Sequence, residues 1–250
     1  MKYFTLFTFL VLTLSSCDRI FPNYGKEKKK NKEKKEKIYD GIRKNYLDGK
    51  LASTVTYKDS VKNGVAINYY PDGKINMEFN YKDNMKDGPF KWYYENGVLY
   101  LEGNYEKNEK EGIFKMYRDN GQLKSEMPWH KGLPCVGLKE YYESGKLKPV
   151  PKIIVKHKNT VKLDNKYTLE FSLSDNSKNA TFYDGYLGEK NSFANHFVAL
   201  DGKKGKASLT YFVVPGKFMM KSSTIVAKLK TRDDNYYILT KEINVTAENR

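Results

Sequence analysis

From residue 41 onward, apolar and polar side chains alternate with a period of two. After Gly73, the apolar places are Ile75, Met77, Phe79 and Tyr81, and Lys74, Asn76, Glu78 and Asn80 lie between them. After Gly97 the same places hold Leu99, Leu101, Gly103 and Tyr105. Ahead of that glycine, Phe90, Trp92 and Tyr94 alternate with Lys91 and Tyr93. This is the pattern of strands with one face buried. Between the paired runs stand Asp48-Gly49, Asp72-Gly73, Asn96-Gly97, Asn120-Gly121 and Ser144-Gly145. Asp-Gly and Asn-Gly tolerate positive φ and are strong hairpin signals.

The turn glycines Gly49, Gly73, Gly97, Gly121 and Gly145 recur every 24 residues. A fixed period of that size signals a repeat architecture. A second set, Gly41, Gly64, Gly88, Gly112 and Gly137, is read as closing each unit. A two-residue loop predicts Tyr94 opposite Leu99, Trp92 opposite Leu101 and Phe90 opposite Gly103 on one face. On the other face it sets Lys91 against Glu102 and Lys115 against Glu126, where opposite charges are favourable. A longer turn with a bulge at Pro71-Asp72-Gly73 would shift this register. In it, Tyr69, Tyr93, Tyr117 and Tyr141 share the polar face, joined by Tyr100. These five are the candidate binding surface, since rings spaced among lysines suit a glycan, a lipid head group or an extended peptide. The competing expectation is a tyrosine ladder that only covers its own sheet, its hydroxyls in water.

The phrase G-x-x-x-x-Y-Y-x-N/D-G-x-L resembles the MORN-repeat variant and is similar to the repeat region of YwqK-family antitoxins. The resemblance runs from Gly41 to Leu147, with the fifth unit cut short by Pro149 and Pro151. Asn45 replaces the first Tyr of the pair in one unit and Arg118 the second in another. The resemblance implies tandem hairpins in one curved antiparallel sheet, each unit burying its face by stacking on its neighbours. It also implies a role in interaction and membrane association.

Beyond residue 150 the period is lost. KYTLEFSLS, ASLTYFVVP, STIVAKLKT and YYILTKEINV alternate, and DNSKN, DGKKG and RDDN separate such runs. Strands at this spacing predict a β-sandwich. It resembles an immunoglobulin-like domain in outline, without the Cys pair and Trp of antibody domains. The hairpin from Thr224 to Val245, around Arg232-Asp233-Asp234-Asn235, is its clearest piece. The fold class is therefore all-β, with a repeat sheet over 41–149 and a sandwich over 150–250.

The start of the chain has a different character. MKYFTLFTFLVLTLSSC has one Lys, a short apolar run and small residues before Cys17. That is the order of a secretory signal. Its end, Leu14-Ser15-Ser16-Cys17, resembles the bacterial lipoprotein lipobox. The resemblance implies cleavage after Ser16, lipid attachment at Cys17 and a place in the cell envelope, at the outer membrane. Residues 17–40 read as a tether. Within it Lys26 to Lys37 carries eight Lys against three Glu, a solvated charge block that could also rest on anionic lipid.

The formal charge of +15 permits binding to nucleic acid or anionic membranes, and export argues against nucleic acid. With Cys17 acylated, Cys135 has no disulfide partner and reads as a small semi-buried loop residue. His130, His157 and His196 stand apart from one another, and no metal spacing, phosphate loop or nucleophile motif is present. No catalytic residue, metal or cofactor is expected. The sequence thus predicts a lipid-anchored, non-catalytic binding scaffold with a protein, glycan or lipid head-group partner. The rival is an antitoxin or immunity protein that neutralises a partner toxin.

Overall fold

The computed structural model describes residues 38–194 and 197–250. The signal segment with Ser16 and Cys17, nearly all of the tether, and His196 lie outside the described residues. Eight strands follow one another as hairpins: β1 (Gly41–Leu47), β2 (Lys50–Lys58), β3 (Val61–Tyr69), β4 (Ile75–Lys82), β5 (Met85–Tyr93), β6 (Leu99–Glu106), β7 (Glu109–Tyr117) and β8 (Leu123–His130). Each pairs antiparallel with the next. Two short strands, β9 (Leu133–Pro134) and β10 (Lys139–Glu140), both pair with β8 and end the sheet. The chain adopts the all-β class and the tandem-hairpin sheet that the alternation requires.

Trp92 faces Leu101, Phe90 faces Gly103, Lys91 faces Glu102 and Lys115 faces Glu126, as expected. The pairing of Tyr94 with Leu99 is not formed; Leu99 faces Tyr93. The loop is one residue longer than the sequence suggested. Gly97 N–H donates to the Tyr94 carbonyl at 2.9 Å, and Tyr94 N–H to the Val98 carbonyl at 2.8 Å. With Gly97 at φ 87°, this is a type I turn followed by a left-handed residue. A bulge at Tyr100 absorbs the extra residue and restores the register. The same turn recurs at Tyr70–Gly73, Arg118–Gly121 and Tyr142–Gly145. Pro71 occupies the second place of its turn, where its fixed φ fits.

Asp72, Asn96 and Asn120 are therefore not at positive φ. Each side chain accepts the N–H two residues on, from Lys74, Val98 and Gln122, at 3.0 Å. The residue type is selected by this local bond, not by a left-handed backbone. Asp48-Gly49 is the exception. Its arm from Gly41 is one residue shorter than the arm from Gly64 to Gly73. It closes in a two-residue loop with both φ values positive.

Such two-residue loops otherwise lie at the opposite end of each unit, at Asp59-Ser60, Asp83-Asn84, Lys107-Asn108 and Lys131-Gly132. The second glycine set does not close the units. Gly64, Gly88 and Gly112 lie inside β3, β5 and β7, beside bulges.

One face of the sheet carries the row Ala66, Phe79, Phe90, Gly103, Phe114 and Met127. Ala66, Phe90, Phe114 and Met127 are buried. Lysines roof this face: Lys62 lies 5.2 Å from the Tyr81 ring, Lys86 4.2 Å from Phe79, and Lys110 4.4 Å from Trp129. Their stems cover apolar surface while their charges sit over aromatic faces.

The remaining strands form two four-stranded antiparallel sheets. β11 (Ile153–Thr160), β12 (Lys166–Leu173), β16 (Lys206–Phe212) and β15 (Gly202–Lys203) make the first, in that order. β14 (Phe197–Ala199), β13 (Ala180–Gly185), β17 (Phe218–Lys230) and β18 (Tyr236–Glu248) make the second. A one-turn helix, α1 (Val161–Asp164), joins β11 to β12. Leu169, Phe171 and Leu173 from one sheet share a core with Phe182, Ile225 and Ala227 from the other. The Phe171 and Phe182 rings stack at 6.0 Å. The four alternating segments fall on β12, β16, β17 and β18, and the hairpin around Arg232–Asn235 forms as expected.

Met127 and Leu138 of the repeat sheet belong to the same buried cluster. At this junction Asn235 Nδ2 donates to Ser125 Oγ at 3.1 Å and to Glu140 Oε1 at 3.3 Å. Lys124 and Asp233 pair at 2.6 Å. The sheet is thus joined to the sandwich by a continuous core and a satisfied polar contact. Among the described residues no helix is long and apolar enough to cross a membrane.

A Cβ added at Gly103 would lie 2.6 Å from the Phe114 ring. Gly103→Ala is therefore expected to lower unfolding free energy by about 1–3 kcal/mol through overpacking, measured by urea denaturation. Adding Phe114→Leu should recover part of the loss.

Candidate functional site: a repeating tyrosine–carboxylate face

Opposite the apolar row, side chains of alternating charge stand across six strands. Glu78 faces Lys91, Lys91 faces Glu102, Glu102 faces Lys115, Lys115 faces Glu126, and Glu126 faces Lys139. Each opposed pair contributes about 0.2–1 kcal/mol to the pairing of its strands. Tyrosines of the candidate stripe close onto this row. Tyr93 Oη donates to Glu78 at 3.3 Å, Tyr117 to Glu102 at 2.7 Å, and Tyr141 to Glu126 at 2.8 Å. Each partner lies 15 residues back in the chain. Lys139 adds an ion pair to Glu126 at 3.4 Å.

The electrostatics follow from these bonds. Burial, and then the bond to Glu102, pushes the Tyr117 hydroxyl up to about 12. Tyr93 is raised by burial and then by the Glu78 charge, and Tyr141 chiefly by its bond to Glu126. Glu126 is held below the ordinary carboxylate range chiefly by the Tyr141 hydroxyl. The tyrosines stay donors, and Glu126 stays charged. The stripe hydroxyls are therefore engaged, while the exposed lysines Lys91 and Lys139 face outward between half-buried rings.

Not all five candidate tyrosines come together. Tyr69 holds the equivalent place, but the residue 15 back is Thr54, with no carboxylate to accept. Tyr69 instead borders a shallow cleft of about 290 Å³ with Lys50, Leu51 and Pro71. Tyr100 leaves the stripe. Its ring meets Trp92 at 4.7 Å and Tyr94 at 4.9 Å, and those residues alternate with Tyr93 along the chain. As the bulged residue of β6 it escapes the alternation that placed it beside the others.

The second aromatic of each pair does separate work that the sequence did not disclose. Tyr70 Oη donates to the Tyr93 carbonyl at 2.6 Å, and Tyr94 Oη to the Tyr117 carbonyl at 2.9 Å. Arg118, the apparent departure from the repeat, donates from Nη2 to the Tyr141 carbonyl at 2.8 Å. The substitution thus preserves the bond from one unit to the next. A signal existed: position 118 keeps a long donor where the hydroxyl would be.

His130, which stands apart from the other histidines in the sequence, is a buried junction. Nδ1 lies 3.0 Å from Glu111 and Nε2 lies 3.2 Å from Glu189. Lys190 reaches Glu111 at 2.8 Å and Lys131 reaches Glu189 at 2.8 Å. The loop at 189–193 is also held by main-chain bonds, Val136 N–H to Asn191 at 3.1 Å and Phe193 N–H to Pro134 at 2.8 Å. This cluster fastens the sandwich loop to the end of the repeat sheet. Among the described residues no group of His, Cys, Asp and Glu has metal-holding geometry. His157 bonds Tyr167 Oη at 2.9 Å. Cys135 is buried and burial pushes its thiol up, as befits an inert structural residue.

Comparison with known proteins agrees with the repeat. Residues 62–83, 86–107 and 110–131 match the model of the MORN repeat variant. Each match spans one of the hairpins β3–β4, β5–β6 and β7–β8. No curated protein matches the chain.

The Glu111 carboxyl lies at about 2, below its ordinary 4.5, held there first by Lys190, then by Lys131 N–H and His130. A carboxyl depressed on folding stabilises the fold above its unfolded value and loses that contribution as pH falls through the folded one. Glu111→Gln should therefore be less stable than the parent at neutral pH. The difference in urea midpoint should shrink below pH 4.5 and close near pH 2.

Proposed function

We propose that the chain is a cell-envelope lipoprotein, tethered through Cys17, whose repeat sheet binds a partner without catalysing a reaction. The observation that carries the binding reading is the row of alternating Glu and Lys backed by Tyr93, Tyr117 and Tyr141. Its half-buried carboxylates accept the tyrosine hydroxyls, while the exposed ammonium groups of Lys91 and Lys139 stand outward between aromatic rings. That combination suits an extended partner offering acidic groups and flat apolar surfaces, such as an acidic peptide or a carboxylated glycan. The match to the MORN repeat variant supports an interaction module.

The sandwich of this scaffold is read as immunoglobulin-like. Named in chain order A, B, C, C′, D, E, F and G, its sheets run A-B-E-D and C′-C-F-G. That order agrees with the strand grouping of immunoglobulin domains. The lipid anchor rests on the apolar run and Leu14-Ser15-Ser16-Cys17 alone. Several acyl chains on one residue give stable attachment.

Fractionation of cells, with protease shaving, tests the address. The native protein should sediment with membranes and Cys17→Ser should be released. A native protein found in the cytoplasm would overturn the address and favour the antitoxin reading. For the binding face, Tyr93→Ser with Tyr117→Ser should abolish chemical cross-links to envelope components in whole cells. Cross-links that persist in a folded double variant would remove the stripe from the proposal.

A further inference from the structure

The end of the sandwich opposite the Arg232–Asn235 turn carries five large apolar side chains that are 59% to 88% exposed. They are Leu163 in α1, Phe212 at the end of β16, Val214 in the following turn, and Phe218 and Met220 at the start of β17. Their base is pinned. Buried Asn249 donates from Nδ2 to Asn165 Oδ1 at 2.8 Å and to the Val213 carbonyl at 2.7 Å. Val213 N–H donates to the Asn165 carbonyl at 2.8 Å, and Gly216 N–H to the Asn249 carbonyl at 2.6 Å. Val161 and Val213 are buried beneath. These exposed side chains therefore stand on a fixed frame.

Their arrangement and charge narrow the partner. Tyr211 and Met219 pack toward the core, so their neighbours Phe212 on one sheet, and Phe218 and Met220 on the other, point outward. The apolar groups thus lie around this end of the domain, on the outer faces of both sheets and on the two connections, α1 and the turn after β16. The same segments carry Lys162, Lys166, Lys217 and Lys221. The local carboxylates are already paired, Asp164 with Lys166 at 3.3 Å and Glu248 with Arg250. Among the described residues Lys162, Lys217 and Lys221 have no carboxylate partner. A projecting apolar ring with free ammonium groups at its rim fits a surface that is apolar below and anionic at its face. A protein partner would instead need a cup enclosing the whole end.

We propose that this end of the sandwich docks into the interfacial layer of an anionic bilayer. The contact is separate from the Cys17 anchor and does not depend on it. Lysines bring the domain to the surface, and the apolar ring enters the head-group and acyl boundary.

The test uses the full chain with Cys17→Ser and Val214→Trp. The native tryptophans, Trp92 and Trp129, lie in the repeat sheet, so the added one reports on the ring. Vesicles are phosphatidylcholine with or without phosphatidylglycerol, with brominated or ordinary acyl chains. The expected result is quenching by brominated lipid beyond that of the parent, only when phosphatidylglycerol is present. Lys217→Glu with Lys221→Glu should raise the lipid needed by about tenfold or more. Phe212→Ser with Phe218→Ser should weaken binding with an unchanged melting temperature. Sedimentation with vesicles but no quenching of the new tryptophan would place the contact elsewhere and overturn the proposal. Equal quenching on neutral vesicles would overturn the anionic requirement.

Discussion

The bond from the second aromatic place of one unit to the main chain of the next holds the repeat sheet to its pitch. A single-layer sheet has no enclosed interior to fix the relation of one hairpin to another. Strand pairing alone permits slippage wherever polar and apolar faces are weakly distinguished. Tyr70, Tyr94 and Arg118 reach forward 23 residues each and fasten the turn of one unit to the strand end of the next. Asn84 and Asn108 do the same at the opposite edge, accepting the N–H of Lys62 and Lys86 at 2.8 Å. With both edges tied, the alternating charges and the aromatic row are brought into line, and every surface feature inherits the same spacing.

The two faces solve the exposure of a single layer differently. On one, phenylalanines pack along the row, Lys86 and Lys110 fold over Phe79 and Phe114, and Lys62 folds over Tyr81. Burial lowers the Lys110 ammonium below its usual range, which fits a cation lying on rings and not in water. On the other, tyrosine rings fill the gaps between strands while their hydroxyls bind glutamates. Gly103 marks where the first face is tightest: the place next to Phe114 has room for hydrogen only.

Much of this was legible in the sequence, for a physical reason. A period of two and a repeat of 24 residues record which faces are covered and how often the hairpin recurs. A two-residue loop set the pairings of Trp92, Phe90, Lys91 and Lys115, and these form although the loop is longer, because bulges such as the one at Tyr100 restore the register. The loop itself was misread because Asn-Gly has two uses. It can hold two left-handed residues, or one acceptor side chain followed by one left-handed glycine. Only the strand length between Gly88 and Gly97 separates them, and Tyr100 was misplaced by that one residue. The His130 junction was not legible at all. Its partners Glu111 and Glu189 are 78 residues apart and meet only because the sandwich loop lies on the end of the sheet. β11 was missed because its apolar start, Ile153-Ile154-Val155, gives way to Lys156-His157-Lys158-Asn159.

The junction at Ser125, Glu140 and Asn235 gives the sheet a direction. At that end the hairpins run into a shared core, and no unit could be added there without rebuilding it. At the other end β1 is followed by no such seal among the described residues. A change in the number of units would therefore leave the sandwich untouched and move β1 by about 10 Å for each hairpin gained or lost, two strand spacings. The repeat count is in this sense a ruler, setting the distance between β1 and the sandwich.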